Sequence, residues 1–346
     1  TDLHDQARIS NNLGQCYSNT GQPNKAERQH LRALKINKEV GDENGVSITY
    51  LNLVAMYNMN SQFDRGIKIG YDSLGSLSQG ENLFAKERLL YNLGQSLIMV
   101  GRYSEGEKVL QESKTIAKEF NDDAVIGMVE LYLGIYRSDE GKYGLANTHF
   151  DKAQEYFDRS NHISGKVMLP LEIGLNDFLR GKYSTAIKNM EKTAKLAANL
   201  NELDYVNMAR SASILVKSFL GKCILEDVDK EADKLSKINH LITMRTAWYL
   251  CQAYLIHNDI KKADKFQKKS RKILLNIAKV FVYEDIRTDF MVKINLHNNI
   301  NSDLAMIPLE YSIYQFCYYC GISNTTNSEN CIKCNTSLRK DNIING

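Results

Sequence analysis

The strongest constraint on how this chain can fold is a period of forty residues. The tripeptides Gly101-Arg102-Tyr103, Gly141-Lys142-Tyr143 and Gly181-Lys182-Tyr183 lie forty apart. A step of forty back from Gly101 lands on Ser61, with Phe63 two further on, and another lands on Gly21 and Pro23. Forward of Gly181 the step gives Gly221 and Cys223, and a shorter step of 37 gives Asn258 and Ile260. Seven copies in phase describe a single helical unit laid repeatedly against itself.

Each copy has the same grammar. Before the anchor, apolar residues recur at spacings of three and four, as in Leu89, Leu93 and Leu97, which is the period of a helix with one buried face. The anchor is Gly, Ser or Asn, and Gly and Asn suit the left-handed turn that ends a helix. An aromatic or apolar residue two positions later opens a second helix. Three residues beyond that comes a small side chain, Ala26, Gly66, Gly106, Ala146, Ala186 or Ala263, which lets the paired helices approach closely. Glu226 breaks the rule in the sixth unit. Only three prolines occur in 346 residues, in keeping with long helices.

The fragment Asn12-Leu13-Gly14-Gln15-Cys16-Tyr17 with Gly21, Ala26 and Ala33, and the set Leu133-Gly134, Gly141, Tyr143, Ala146, Phe150 and Ala153, resemble the tetratricopeptide repeat (TPR) family in its forty-residue variety. The resemblance runs from about residue 3 to residue 280. It implies an all-α fold, a right-handed superhelix of about seven helical hairpins, with stacking supplying the core that no hairpin can bury alone. The array is placed at residues 1–280. Phe281 to Asn295 reads as an amphipathic capping helix and His297 to Asp303 as a polar loop, making 281–305 a cap and connector. Residues 306–346 form a separate terminal module.

That module carries Cys317, Cys320, Cys331 and Cys334, two Cys-x-x-Cys pairs ten residues apart. Four thiolates in two tight knuckles suit tetrahedral Zn²⁺, and with all four positions filled by Cys the ion would be structural rather than catalytic. Tyr319 to Leu338 looks like a zinc ribbon of the terminal type. Binding energy of about 10 kcal/mol would fold a segment too small to fold alone. Iron accepts the same ligands, and paired disulfides would demand an oxidising compartment. Cys16, Cys223 and Cys251 read as buried helix residues, and Thr1 to Ser10 lacks the apolar core of a signal peptide, so a cytoplasmic setting and zinc are favoured. A start at Thr1 rather than Met suggests a cut inside a larger protein.

The forty-residue step also aligns Asn12, Asn52 and Asn92. In the first and third units Arg8, Asn12 and Gln15 match Arg88, Asn92 and Gln95, each trio lying on one stripe of a helix, offset from Leu13 and Leu93, which should be buried. An Asn side chain both donates and accepts, and can pair with a peptide backbone. In TPR proteins that bind extended peptides, asparagines here line the concave groove, a role the resemblance implies for these residues. Bonds across neighbouring hairpins are the competing reading. The fourth and fifth units carry Tyr132 and Glu172 instead, among Met128, Leu131, Ile135, Met168, Leu171, Leu175 and Phe178, a stripe that is either core or partner surface. Lys261, Lys262, Lys265, Lys268, Lys269, Arg271 and Lys272 cluster on the last helix of the array and read as a solvated face.

Forty-four basic residues against 41 acidic ones give a net charge of +3, which is no footprint for duplex nucleic acid. No apolar run approaches the roughly 20 residues that span a bilayer. The chain has no Gly-rich phosphate loop and no His-x-x-x-His pair, and the expectation is a non-catalytic scaffold that takes a protein or an extended peptide in its groove. Two alternatives share the fold: the ligand-sensing part of a larger signalling protein, and a nucleic-acid adaptor acting through the ribbon.

The cysteine reading makes a direct prediction. Metal analysis of the purified chain should find one zinc ion per molecule, and Cys331→Ser with Cys334→Ser should remove it. Disulfides among these four cysteines in protein purified under argon would overturn the assignment.

Overall fold

Left-handed backbone recurs wherever the period demands it. In the computed structural model, which describes residues 2–76, 82–235, 240–301, 315–316 and 323–324, all seven anchors have positive φ. Gly21, Ser61, Gly101, Gly141, Gly181, Gly221 and Asn258 lie between 56° and 80°. Glycine adopts this conformation without steric cost, and Asn tolerates it better than most residues. Each anchor sits in the turn of a helical hairpin. The hairpins are α1 (Leu3–Asn19) with α2 (Pro23–Val40), α3 (Glu43–Met59) with α4 (Phe63–Ser76), α5 (Leu83–Met99) with α6 (Tyr103–Phe120), and α7 (Asp123–Asp139) with α8 (Tyr143–Ser160). They continue as α9 (Ile163–Leu179) with α10 (Tyr183–Asn199), α11 (Leu203–Phe219) with α12 (Leu225–Ala232), and α13 (Leu241–Ile256) with α14 (Ile260–Lys279). The first member of each pair is called the A helix below.

A second forty-residue series starts the A helices. The side chains of Asp2, Asp42, Asn82, His162 and His240 each accept a backbone N–H of the first turn. Asp122 does the same for α7, through Val125 N at 3.0 Å. Such caps satisfy donors that the helix leaves unpaired, and each contributes about 1 kcal/mol. The equivalent Glu202 makes no such bond. The irregular sixth unit is irregular in structure too, since α12 has only 8 residues.

The chain forms two compact units, one of residues 1–132 with 277–294, the other of residues 133–276 with those from 295 onward. In the first, Leu53, Met56, Tyr50 and Tyr57 of α3 pack with Ala26 and Leu34 of α2, and Tyr17 of α1 joins them. This contact explains a departure from expectation. Leu13 is 42% exposed and Cys16 is exposed, whereas their register equivalents Leu53, Leu93 and Met56 are buried. The side of an A helix that carries these residues is covered by the preceding hairpin, and among the described residues no hairpin precedes α1. Cys223 is buried as expected but lies in the turn before α12 rather than in a helix.

The first unit is completed by residues distant in sequence. Following α14, the chain enters α15 (Glu284–Val292), whose start is held by Asp64: its Oδ2 accepts Val282 N at 2.6 Å and Tyr283 N at 3.4 Å. Arg102 donates to Asp285 at 2.5 Å and Asp289 at 2.9 Å. Phe290, fully buried, has Phe281 and Phe63 as ring neighbours at 5.0 and 6.4 Å. The stretch Phe281 to Asn295 is thus not one helix: α15 covers only Glu284 to Val292, and Asn295 opens the next. The polar run that follows is not a loop up to Asn301, because α16 (Asn295–Asn301) buries His297 and Ile300 in the second unit, where Gln267 donates to Ile300 O at 3.3 Å. Further on, strands β1 (Gln315–Phe316) and β2 (Ser323–Asn324) pair antiparallel, with Gln315 opposite Asn324.

Close helix approach depends on glycine within the A helices. A Cβ at Gly134 would lie 2.4 Å from the Phe150 ring, which is buried and cannot yield. A Cβ at Gly144 would meet nothing within 4 Å. Gly134→Ala should therefore cost about 2 to 3 kcal/mol through overpacking, while Gly144→Ala is neutral or slightly stabilising. Urea midpoints of the two variants test this, and equal midpoints would contradict the packing described.

Candidate functional site

The three positions thirteen, nine and six residues before each anchor form a stripe along every A helix. In the first unit the stripe is polar on α1 and α5 but has Ile48 and Ala55 beside Asn52 on α3, and its polar members divide sharply by what they bond. Arg8 donates to Asp5 at 2.8 Å on its own helix and remains well exposed, and Gln15 donates to Asn19 at 3.0 Å. Asn12 is exposed and makes no side-chain hydrogen bond among the described residues. These three present polar groups to solvent on α1.

Asn52 and Asn92 are half-buried and already engaged. Asn52 Nδ2 donates to Asn11 Oδ1 at 3.2 Å, across the boundary between the first two hairpins. The same oxygen lies 2.7 Å from Nδ1 of His30. Burial lowers the His30 pKa to about 4, so its ring is neutral and Nδ1–H donates to Asn11. Asn92 Nδ2 donates to Arg88 O at 2.8 Å within α5, and its own carbonyl accepts Asn58 Nδ2 at 2.8 Å. Gln95 takes a bond from Asn58 at 3.3 Å and gives one to the Tyr132 hydroxyl at 2.7 Å. Arg88 pairs with Asp122 at 2.5 Å, its guanidinium 4.4 Å from the Phe84 ring centroid. Of the seven residues proposed for the stripe, Arg8, Asn12 and Gln15 are open, while Asn52, Arg88 and Gln95 bond between hairpins and Asn92 bonds its own helix.

The apolar residues flagged in the middle units are mainly core. Met128, Leu131 and Leu171 are buried, Met168, Ile135 and Leu175 are half-buried, and Phe178 packs edge-on against Phe219 at 6.0 Å. In the second unit the stripe instead holds an ion pair. Arg245 of α13 grips Glu172 of α9 with two nitrogens, at 2.8 and 3.3 Å, and donates through Nε to the Tyr249 hydroxyl at 3.3 Å. Burial alone would lower the Arg245 pKa; the Glu172 charge and the Tyr249 hydroxyl outweigh it and hold the guanidinium above its ordinary value. Tyr205 is pushed up to about 12 by burial and by the Glu172 charge. Arg245 and Gln252 occupy the positions of Arg8 and Gln15 relative to their anchor. The last unit is three residues short, which hid this correspondence.

Asn58 and Ser96, whose side chains meet at 2.5 Å, and Ser138 and Asn176, at 3.0 Å, also escaped sequence reasoning. Each pair is a polar step 38 residues apart inside otherwise apolar helices, a legible signal once sought. Cys317, Cys320, Cys331 and Cys334 lie outside the described residues, although β1 and β2 bracket the first pair in sequence. Among the described residues no group of three His, Cys, Asp or Glu is placed to hold a metal ion, and no helix is long and apolar enough to cross a membrane.

Paired helices turning at left-handed residues and bonded side by side through polar steps define an all-α fold of repeated helical hairpins. A tetratricopeptide repeat model matches residues 7–40, and no curated protein matches the sequence. Among solved structures, the apo form of RapI aligns at a TM-score of 0.64 and 16% identity, over 79% of this chain and 99% of that one. Aspartyl phosphate phosphatase F from Bacillus subtilis aligns at 0.63 and 14%, over 78% and 70%. NprR in complex with its cognate peptide NprX aligns at 0.53 and 12%, over 89% and 88%. At these identities the likeness is one of fold.

The Glu172–Arg245 pair yields a measurable asymmetry. Removing one partner strands a poorly hydrated charge, so Arg245→Met should lower stability by about 3 to 5 kcal/mol. The double variant Glu172→Leu with Arg245→Met should recover most of that loss. Additive losses in a urea double-mutant cycle would show that the two groups are uncoupled.

Proposed function

We propose that the A-helix face of the first unit captures an extended peptide, or an extended segment of a partner protein, without catalysis. The observation that carries this reading is the open polar stripe of α1. Arg8, Asn12 and Gln15 stand one to two turns apart on one face, and Asn12 offers a donor pair and an acceptor with nothing bound to them. Asn52, held half-exposed by Asn11, continues the stripe onto α3. An extended backbone exposes alternating donors and acceptors, and a row of side-chain amides can answer them one by one. The NprR–NprX complex supports the reading, as a protein of similar fold described with a bound peptide.

Asn92, Arg88 and Gln95 belong to the same proposed face but are bonded within the protein, so a ligand reaching them must exchange with existing partners. They would tune affinity less than the open members. A structural zinc held by Cys317, Cys320, Cys331 and Cys334, and a cytoplasmic location, form part of the proposal. The zinc takes no part in capture.

Selection of a phage-displayed random peptide library on the chain should enrich peptides that bind saturably in fluorescence anisotropy. Asn12→Ala with Gln15→Ala should weaken them at least tenfold at an unchanged melting temperature. Asn52→Ala, which also breaks the bond to Asn11, should lower both. If the α1 variant leaves affinity intact, or no peptide saturates, the face is not the binding surface.

A further inference from the structure

We propose that the segment captured on the first unit binds as a polyproline-II helix, with one apolar side chain seated on Ile48 between Arg8 and Arg88. The inference rests on the peptide-capture reading above and adds to it the conformation and the side chain that the face selects.

The odd helix of this face is α3. At thirteen, nine, six and two residues before the anchors, α1 offers Arg8, Asn12, Gln15 and Asn19, and α5 offers Arg88, Asn92, Gln95 and Met99. In the same places α3 offers Ile48, Asn52, Ala55 and Met59, so its one amide stands in apolar surroundings. Ile48 is 39% exposed and Met59 59%. Apolar side chains at the same stripe positions of later helices are covered: Met128, Met208 and Leu215 are buried, and Met168, Ile135 and Leu175 are half-buried. An exposed apolar strip with polar groups on either side has the composition of a ligand seat. The seat is not ionic. The guanidinium of Arg8 is paired with Asp5 and that of Arg88 with Asp122, so neither flank leaves a bare charge for a ligand carboxylate.

The spacing of the helices selects the backbone. Asn52 of α3 donates to Asn11 of α1 at 3.2 Å, and Asn58 of α3 donates to Gln95 of α5 at 3.3 Å, so the three A helices lie side by side. Packed helices stand about 8 to 10 Å apart, axis to axis. A β-strand returns a side chain to the same face every two residues, about 6.7 Å, which falls short of one helix step. A polyproline-II helix returns it every three residues, about 9.3 Å, which matches the step. A backbone that meets Asn12 therefore meets Asn52 three residues on. This conformation makes no internal hydrogen bonds, so its N–H and C=O groups are free for side-chain amides. Asn12 has no bonded partner, and Asn52 gives Nδ2 to Asn11 while its Oδ1 is left for a peptide N–H.

The test aligns the peptides enriched from the random library on the whole chain and measures their affinities by fluorescence anisotropy. One apolar position should dominate the alignment, and its replacement by Ser should weaken binding about tenfold, the worth of one seated apolar side chain. Prolines at the two positions after it, which face away from the helices, should leave affinity unchanged or raise it. Ile48→Lys changes an exposed residue and should keep the melting temperature. It sets three cations in a row, and a second selection on this variant should enrich Asp or Glu where the first enriched an apolar residue. Saturable binding with the same apolar consensus on both chains, or loss of binding with the paired prolines, would overturn this inference and leave peptide capture standing. If no peptide saturates the unaltered chain, peptide capture fails and this inference falls with it.

Discussion

A helical hairpin cannot hide its own apolar surface, and everything in this protein follows from how its neighbours hide it. Leu13 in the first A helix is 42% exposed, while Leu53 and Leu93, in the same register, are 0% exposed. Full burial of a leucine contributes on the order of 2 kcal/mol, so each added hairpin stabilises the one after it. The turn anchors make this addition regular. Positive φ at seven positions fixes the angle between paired helices, and glycines opposite large rings, such as Gly134 against Phe150, fix their separation.

Polar groups then set the register between hairpins. Apolar stacking alone tolerates sliding, since leucines are interchangeable along a stripe. Bonds such as Asn58 to Ser96, Asn52 to Asn11 and Ser138 to Asn176 have one satisfactory alignment each. An unpaired amide in such an interior costs more than a well-made bond gains, which penalises every other alignment. The same amides that a groove could offer a peptide are therefore competed for by the scaffold. On α1 the competition is weaker: Gln15 bonds Asn19 and Asn11 bonds Asn52 and His30, but the Asn12 amide remains open.

The sequence disclosed what is local and periodic. The anchors, the small residues of the second helices and the weak sixth unit could all be read, because each depends on a conformation or a volume that one residue type satisfies. Arg245 could not be read at forty-residue spacing, since the final unit is three residues short, yet it falls in register once Asn258 is taken as its anchor. Leu13 and Cys16 were read as buried by analogy with the later units, which overlooked that burial belongs to the neighbour rather than to the helix. Least legible was the docking of α15. Asp64 and Arg102 look like ordinary surface charges, and their partners lie roughly two hundred positions away, beyond any pattern a single chain displays.

That last feature has a temporal side. Most of the array is made of short-range contacts, which form quickly. The first unit, however, stays incomplete until residues 277–294 exist. During synthesis at about 5 to 20 residues per second, the ribosome needs on the order of 10 to 30 seconds to travel from residue 132 to residue 294. For that interval Phe63 lacks the ring it faces, and the buried carboxylate of Asp64 lacks its two amide donors. A nascent chain therefore carries a half-finished surface while these residues are made, a window in which a chaperone or a neighbouring copy can occupy the berth that α15 later fills.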